Sequence, residues 1–240
     1  MNIVRLFSLL LLTTIAFSSS GQFIKDLKKQ AKKALSTNSS LTEEEVGRGL
    51  KEALNKGVDE GVSNVSKPDG YFKDPVIKIL MPKEARSVES KLRSIGQGKL
   101  VDDAIQSMNR AAEDAAKGAL PLFKDAIKAL TIQDAMNILR GNDDAATQYL
   151  DRSTRTKLIA QFTPVIKSSL DKVGATKHWG SVISAHNKIP FVKKVNPNLE
   201  EHVTDKAIDG LFVQVAKEEK EIRDNPAART SDLLKRVFSN

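Results

Sequence analysis

Apolar positions recur at three- and four-residue steps over the longest uninterrupted helical pattern of the chain, LEEHVTDKAIDGLFVQVAKEEKEIRDNPAARTSDLLKRVF from Leu199 to Phe238. Ile208, Leu211, Phe212, Val215 and Ile222 make one stripe, which predicts an amphipathic helix. Asn198 stands where an N-cap belongs, and Glu201 three positions on can complete a capping box. Asn225-Pro226 stops the helix, because proline has no amide hydrogen and disfavours a helical residue before it. The same pair predicts a restart, with Asn225 as cap and Pro226 in first position. Leu233, Leu234, Val237 and Phe238 then form a second apolar face, expected to lie on the rest of the chain.

The same spacing divides the preceding residues. Thr42-x-x-Glu45 is a capping box, and Val46, Leu50, Leu54, Val58, Val62 and Val65 carry a helix to about Ser66. Gly49, Ala53, Gly57 and Gly61 sit four apart on it. Each glycine costs the helix about 1 kcal/mol against alanine, so this ridge implies the close approach of another helix or room for a ligand. Lys67-Pro68-Asp69-Gly70 signals a turn. Tyr71 to Met81 contains Pro75 and the run Val76 to Leu80, and reads as an extended crossing loop with at most a minor pairing. Pro82 opens a helix through Ile95, closed by Gly96 and Gly98. From Leu100 to Ala119, Val101, Ala104, Ile105, Met108, Ala112, Ala115 and Ala119 share an inner face, with the Asn109 amide partly buried and in need of a partner. Pro121 breaks or restarts this helix, which runs on to Leu130. Thr131 and Asp134 box a short helix ending at Gly141.

Asn142-Asp143-Asp144 reads as cap and first-turn acids, favoured by the helix dipole, for a helix carrying Tyr149, Leu150, Leu158, Ile159 and Phe162. Thr163-Pro164 reads as another cap and start, with Val165, Ile166, Leu170 and Val173 leading to Gly174. Trp179, Val182, Ile183 and His186 share the next face. No fixed-period repeat and no shift in composition follows residue 41. The expectation is one all-α, bundle-like domain over 41–240.

Composition agrees with helices: 40% hydrophobic residues, only 5% aromatic, and abundant alanine. It also sets the first 40 residues apart. Arg5 followed by the apolar run Leu6 to Phe17 and small residues up to Gly21 has the layout of a signal peptide over 1–21, cleaved between Ser18 and Gln22. The run is shorter than the roughly 20 apolar residues of a membrane span. The chain has no cysteine, which excludes a lipoprotein anchor, disulfides and thiolate chemistry. The expected address is periplasmic or secreted. Residues 22–40 form a lysine-rich segment and a Ser/Thr/Asn linker. Phe23, Ile24 and Leu27 on one side, with Lys28 and Lys32 among the lysines around them, are candidate contacts for an anionic membrane surface; the bland alternative is a frayed helix or tether. The net charge of +8 fits a basic surface, and an exported protein is not expected to meet nucleic acid.

Candidate chemistry is sparse. The three histidines, His178, His186 and His202, have no metal-ligand spacing, and neither a nucleophile elbow nor a phosphate or dinucleotide fingerprint is present; no metal and no cofactor is expected. Adjacent acids on a helix point about 100° apart and make poor catalytic pairs. Glu219 falls on the extension of the Phe212 stripe, which suggests a partly buried polar network with Arg223 and Arg229, structural before functional.

Several stretches together resemble a known family: LTEEEVGRGLKEALNKGVDEGVSNVSKPDGYFKDP, GKLVDDAIQSMNRAAEDAA, ILRGNDDAATQYLDRST, VKKVNPNL and KAIDGLFVQVAKEEKEIRDNPAARTSDLLKRVF. In order, and over about Leu41 to Phe238, they are similar to the exported bacterial proteins grouped as domain of unknown function 4197. The resemblance implies a helical, exported single domain with no established activity and no catalytic residues to carry over.

The resulting expectation is a non-enzymatic envelope protein that binds an apolar small ligand or a protein partner. Asn109, Arg110, Asp144 and Tyr149 are the expected ligand-site residues, at the mouth of a space left by the small-residue ridge. One alternative is a hydrolase-like enzyme with a polar pocket between helices, built from Asp143, Asp144, Tyr149 and Arg155 or from Asn109, Arg110 and Glu113. The other is a membrane-surface protein using the lysine-rich lead.

Overall fold

Four long helices make the centre. They are α1 (Glu43–Ser66), α3 (Gly98–Ala116), α6 (Ala145–Lys172) and α8 (Leu199–Asp224), and α8 packs on the other three. Shorter helices close the assembly: α2 (Arg86–Ser94) on α3, α4 (Ala119–Ala129) and α5 (Ile132–Arg140) on α1 and α6, α7 (Ala175–Asn187) on α6 and α8, and α9 (Asp232–Val237) on α1. This is a computed structural model that describes residues 41–188, 190–191, 194–196 and 198–238, excepting the side chains of residues 177, 178, 182 and 185. The signal and lead segments, with Phe23, Ile24, Leu27, Lys28 and Lys32, lie outside the described residues, as do the side chains of His178 and Val182. Among the described residues the fold is all-α, with no strand.

The apolar stripes read from spacing are the core. Leu50, Val58, Val65, Val101, Met108, Phe123, Leu150, Leu158, Phe162, Ile208 and Leu211 are all buried, and Phe123 meets Phe212 edge to face at 5.7 Å. Thr42 and Thr131 form the expected capping boxes with Glu45 and Asp134. Gly96, at φ +78°, closes α2: its amide and that of Gln97 return to the carbonyls of Arg93 and Leu92, the pattern of a left-handed helix end.

Several boundaries differ from the spacing rules. Thr163-Pro164 is not a helix start, because α6 runs unbroken through it. Thr163 Oγ1 donates to the Ile159 carbonyl at 2.8 Å. Leu158, Phe162, Ile166 and Leu170 are fully buried along one face. At about 1.5–3 kcal/mol each, they outweigh the roughly 3 kcal/mol cost of an interior proline. The break predicted at Pro121 falls earlier, at Lys117-Gly118, and Pro121 sits in the first turn of α4, where its missing amide costs nothing. The helix α3 begins at Gly98, ahead of the predicted Leu100. At the start of α8 the box is one-sided: Asn198 Oδ1 accepts from the Glu201 amide, while the Glu201 carboxylate takes the Asn196 side chain instead. Asn225-Pro226 restarts only a 3₁₀ turn, Pro226–Ala228, and the tail helix has its own cap, Ser231.

The small-residue ridge of α1 admits helices. A Cβ on Gly49 would lie 2.7 Å from Val237 of α9, and one on Gly61 would lie 3.6 Å from Val215 of α8. Gly57 is looser, since an added Cβ would meet Glu218 at 3.6 Å, an ordinary contact. Gly210 of α8 is as tight as Gly49, because a Cβ there would fall 2.7 Å from Tyr71 and 3.1 Å from Ile77. Two alanine substitutions should therefore differ in sign. Gly57→Ala is expected to stabilise by up to about 1 kcal/mol through helix propensity. Gly210→Ala is expected to destabilise by about 1–3 kcal/mol through overpacking. Urea unfolding of the two variants checks this, and equal shifts would contradict it.

Candidate functional site

The segment from Tyr71 to Met81 crosses α3 and α8 without regular hydrogen bonding, yet it buries Tyr71, Ile77, Ile79 and Met81. Buried backbone groups need partners, and α3 supplies them from Asn109 and Glu113, one turn apart. Asn109 is fully buried. Its Oδ1 accepts from the Ile79 amide, and its Nδ2 donates to the carbonyls of Ile79 and Ile105, at 2.7–2.8 Å. Glu113, 4% exposed, accepts from the amides of Tyr71 and Phe72 through Oε1. Its Oε2 takes Arg110 Nη1 at 2.7 Å. Arg110 also donates to Asp69, so the guanidinium is held between two carboxylates at the surface. The neighbouring Lys73 and Arg110 hold the Asp69 carboxyl below the usual carboxylate range. Tyr71 Oη donates to the Ala207 carbonyl of α8 at 2.6 Å. Burial raises its phenol far above the ordinary value.

Arg110 lines an open depression of about 770 Å³ between the end of α1, α3 and the end of α6. Asp103, Ser107, Arg110, Asp114 and Lys117 face it from α3, and Ser169 and Lys172 from α6. Lys117 beside Asp114 holds that carboxyl below its usual range, and the Ser169 hydroxyl also bonds it. The α3 residues follow one another at steps of four, three, four and three. That polar stripe was present in the sequence, but reading only apolar stripes passes over it.

The four residues expected at one mouth are not brought together there. Asn109 lies beneath the 71–81 crossing with every amide group engaged. Arg110 lines the depression, which contains neither Asp144 nor Tyr149. Asp144 stands exposed before α6, where its carboxylate accepts from Gln148 rather than from a helix amide. Tyr149 Oη is 3.5 Å from the Ala126 carbonyl. Arg155 is held by Asp151 and Asp209 and lies over the Phe212 ring.

The cap expected from Asn142-Asp143-Asp144 is supplied by α8 instead. Glu219, 8% exposed, accepts from the amides of Ala146 (3.0 Å) and Thr147 (2.8 Å) and from the Thr147 hydroxyl (2.8 Å). Arg223 donates to the same carboxylate at 2.8 Å and to the Ile138 carbonyl near the end of α5. Arg229 does not reach Glu219; it donates to the carbonyls of Ile222 and Arg223 at the end of α8. One ion pair thus serves an N-terminus and a C-terminus on two other helices. Beside it, next to Gly57, is a cavity of about 20 Å³, room for about one water.

His202 lies in the first turns of α8 with Nε2 3.0 Å from the Leu80 carbonyl. Burial holds its imidazole below the ordinary value, although the Leu80 bond opposes this. The unfolded chain then binds the proton more readily than the folded one, so stability is lost as pH falls below about 6.5. Melting temperature should decline less steeply from pH 7 to 5 in His202→Gln than in the parent; parallel curves would refute the assignment.

Among the described residues no group of three or more His, Cys, Asp or Glu is placed to hold a metal ion, and no helix is long and apolar enough to cross a membrane. The fold and these sites define a helical domain whose buried charges brace its own backbone and whose concavity faces solvent with charged side chains set among apolar surface. Over residues 40–239 the chain matches the family described as Protein of unknown function (DUF4197), and it belongs to that family. No curated protein and no solved structure matches it.

Proposed function

We propose that the chain is an exported, non-catalytic binding protein of the cell envelope that meets a protein partner through the depression between α3 and α6. One observation carries this reading. The depression presents donors, acceptors and charges of both signs from two rigid helices, and its Arg110 is pre-positioned by a buried carboxylate. Alternating charges of this kind suit the main chain and polar side chains of a polypeptide better than an apolar small molecule. The space beside Gly57 has room for about one water, which also favours a surface partner over a buried ligand.

The test is a photo-crosslinking residue at Gln106 in the depression, with a control at exposed Arg152, on α6 about 25 Å along the helix from Ser169. In the native envelope, Gln106 should crosslink to a discrete protein and Arg152 should not, and Lys172→Glu should weaken the product. Equal labelling at both sites, or lipid alone at Gln106, would overturn the reading. Export is checked separately by N-terminal sequencing of envelope protein, which should begin between Ser18 and Gln22.

A further inference from the structure

The loop joining α7 to α8 is pinched at its neck. Asn187 Nδ2 donates to the Val195 carbonyl and Asn187 Oδ1 accepts from the Val195 amide, each at 2.8 Å. Val195 is buried, as are Trp179 and Ile183 of α7. Beyond this fixed base the loop displays Phe191, whose side chain is fully exposed, at 108% of its reference area. Its φ of +65° lies in the left-handed region, which residues with a Cβ avoid and glycine or asparagine usually fills. Among the described residues no side chain covers the ring, and its φ strains the backbone. Lys188, Pro190 and Lys194 are exposed on either side of it.

We propose that this loop is a contact for an anionic lipid bilayer, with Phe191 entering the headgroup boundary and Lys188 and Lys194 meeting the lipid phosphates. The charge pattern favours a bilayer over a protein. An exposed ring with lysines close to it in the chain offers no shape to complement a folded surface. The interfacial region of a membrane accepts an aromatic body and nearby ammonium groups without such a shape. The attraction acts within a Debye length, about 8 Å at physiological salt, so lysines next to the ring are well placed. This contact is distinct from the lead segment around Phe23 to Lys32 and does not depend on the partner proposed for the depression.

The experiment uses the chain lacking residues 1–21 and sedimentation with vesicles of equal parts phosphatidylglycerol and phosphatidylcholine, or of phosphatidylcholine alone. The parent should bind the anionic vesicles at least ten-fold more tightly than the neutral ones. Phe191→Gly should lose several-fold in that binding while melting no lower than the parent, because glycine adopts the loop conformation without strain. The pair Lys188→Glu and Lys194→Glu should lose a similar factor. In Phe191→Trp, brominated anionic lipid should quench fluorescence beyond the background of buried Trp179, also after deletion of residues 22–36. Unchanged vesicle binding in Phe191→Gly, or no added quenching in Phe191→Trp, would overturn the proposal. Loss of a co-purifying protein in Phe191→Gly, with vesicle binding intact, would assign the loop to a protein and equally overturn it.

Discussion

Replacing Glu219 by alanine is expected to cost about 3–5 kcal/mol of folding free energy, the range seen when one partner of a buried ion pair is removed. Four groups lose the Glu219 carboxylate at once: the Ala146 amide, the Thr147 amide, the Thr147 hydroxyl and the Arg223 guanidinium. Arg223 is itself only 13% exposed in its side chain, so its charge cannot simply turn to water. Arg223→Met should cost less than Glu219→Ala, because Glu219 keeps its helix-end donors. The double variant should be markedly more stable than the sum of the two losses predicts, since the pair acts as a unit. Urea unfolding of the four proteins measures this. A loss below about 1 kcal/mol for Glu219→Ala, in the range of an exposed pair, would show that water replaces the carboxylate.

Ending the chain after Asn225 is expected to be comparably damaging. Leu234 and Val237 are buried, and Val237 lies over Gly49 of α1. Two such side chains contribute about 3–6 kcal/mol together, and a protein of this size loses roughly 2–4 °C of melting temperature per kcal/mol. A drop of about 6–24 °C follows. A second substitution makes the test specific. In the full chain Gly49→Ala collides with Val237 and should destabilise. In the truncated chain the obstacle is gone, and the same substitution should be neutral or stabilising through helix propensity. An equal effect of Gly49→Ala in both chains, or an unchanged melting temperature on truncation, would mean that α9 does not cover this ridge.

The two cases mark how far local rules reach. The Thr42 and Thr131 boxes, the stripe from Val46 to Val65 and the stop at Asn225-Pro226 were legible because each depends on residues within one turn of each other. The Thr163-Pro164 boundary was misread for the same reason: locally it is a start signal, and only the burial of Leu158, Phe162, Ile166 and Leu170 overrides it. Asn109 was recognised as a buried amide wanting a partner. That its partner is the backbone of Ile79, 30 residues away, has no local signature.

The order of hydrophobic and polar positions by itself determined that this chain is helical, where most helices begin and end, which faces are buried, and that Glu219 and Arg223 share a face. These follow from the 3.6-residue repeat and from caps, both short-range. Tertiary structure alone decided what the buried polar groups are for. Glu219 caps α6 and not its own helix, Glu113 and Asn109 hold the 71–81 crossing, Arg110 parts company with Asp144 and Tyr149, and Phe191 stands clear on a pinned loop. Each of these depends on which helix end or strip of backbone is carried next to a side chain. Buried hydrogen-bonding groups must be matched wherever the packing leaves them, and the packing brings together residues far apart in the chain.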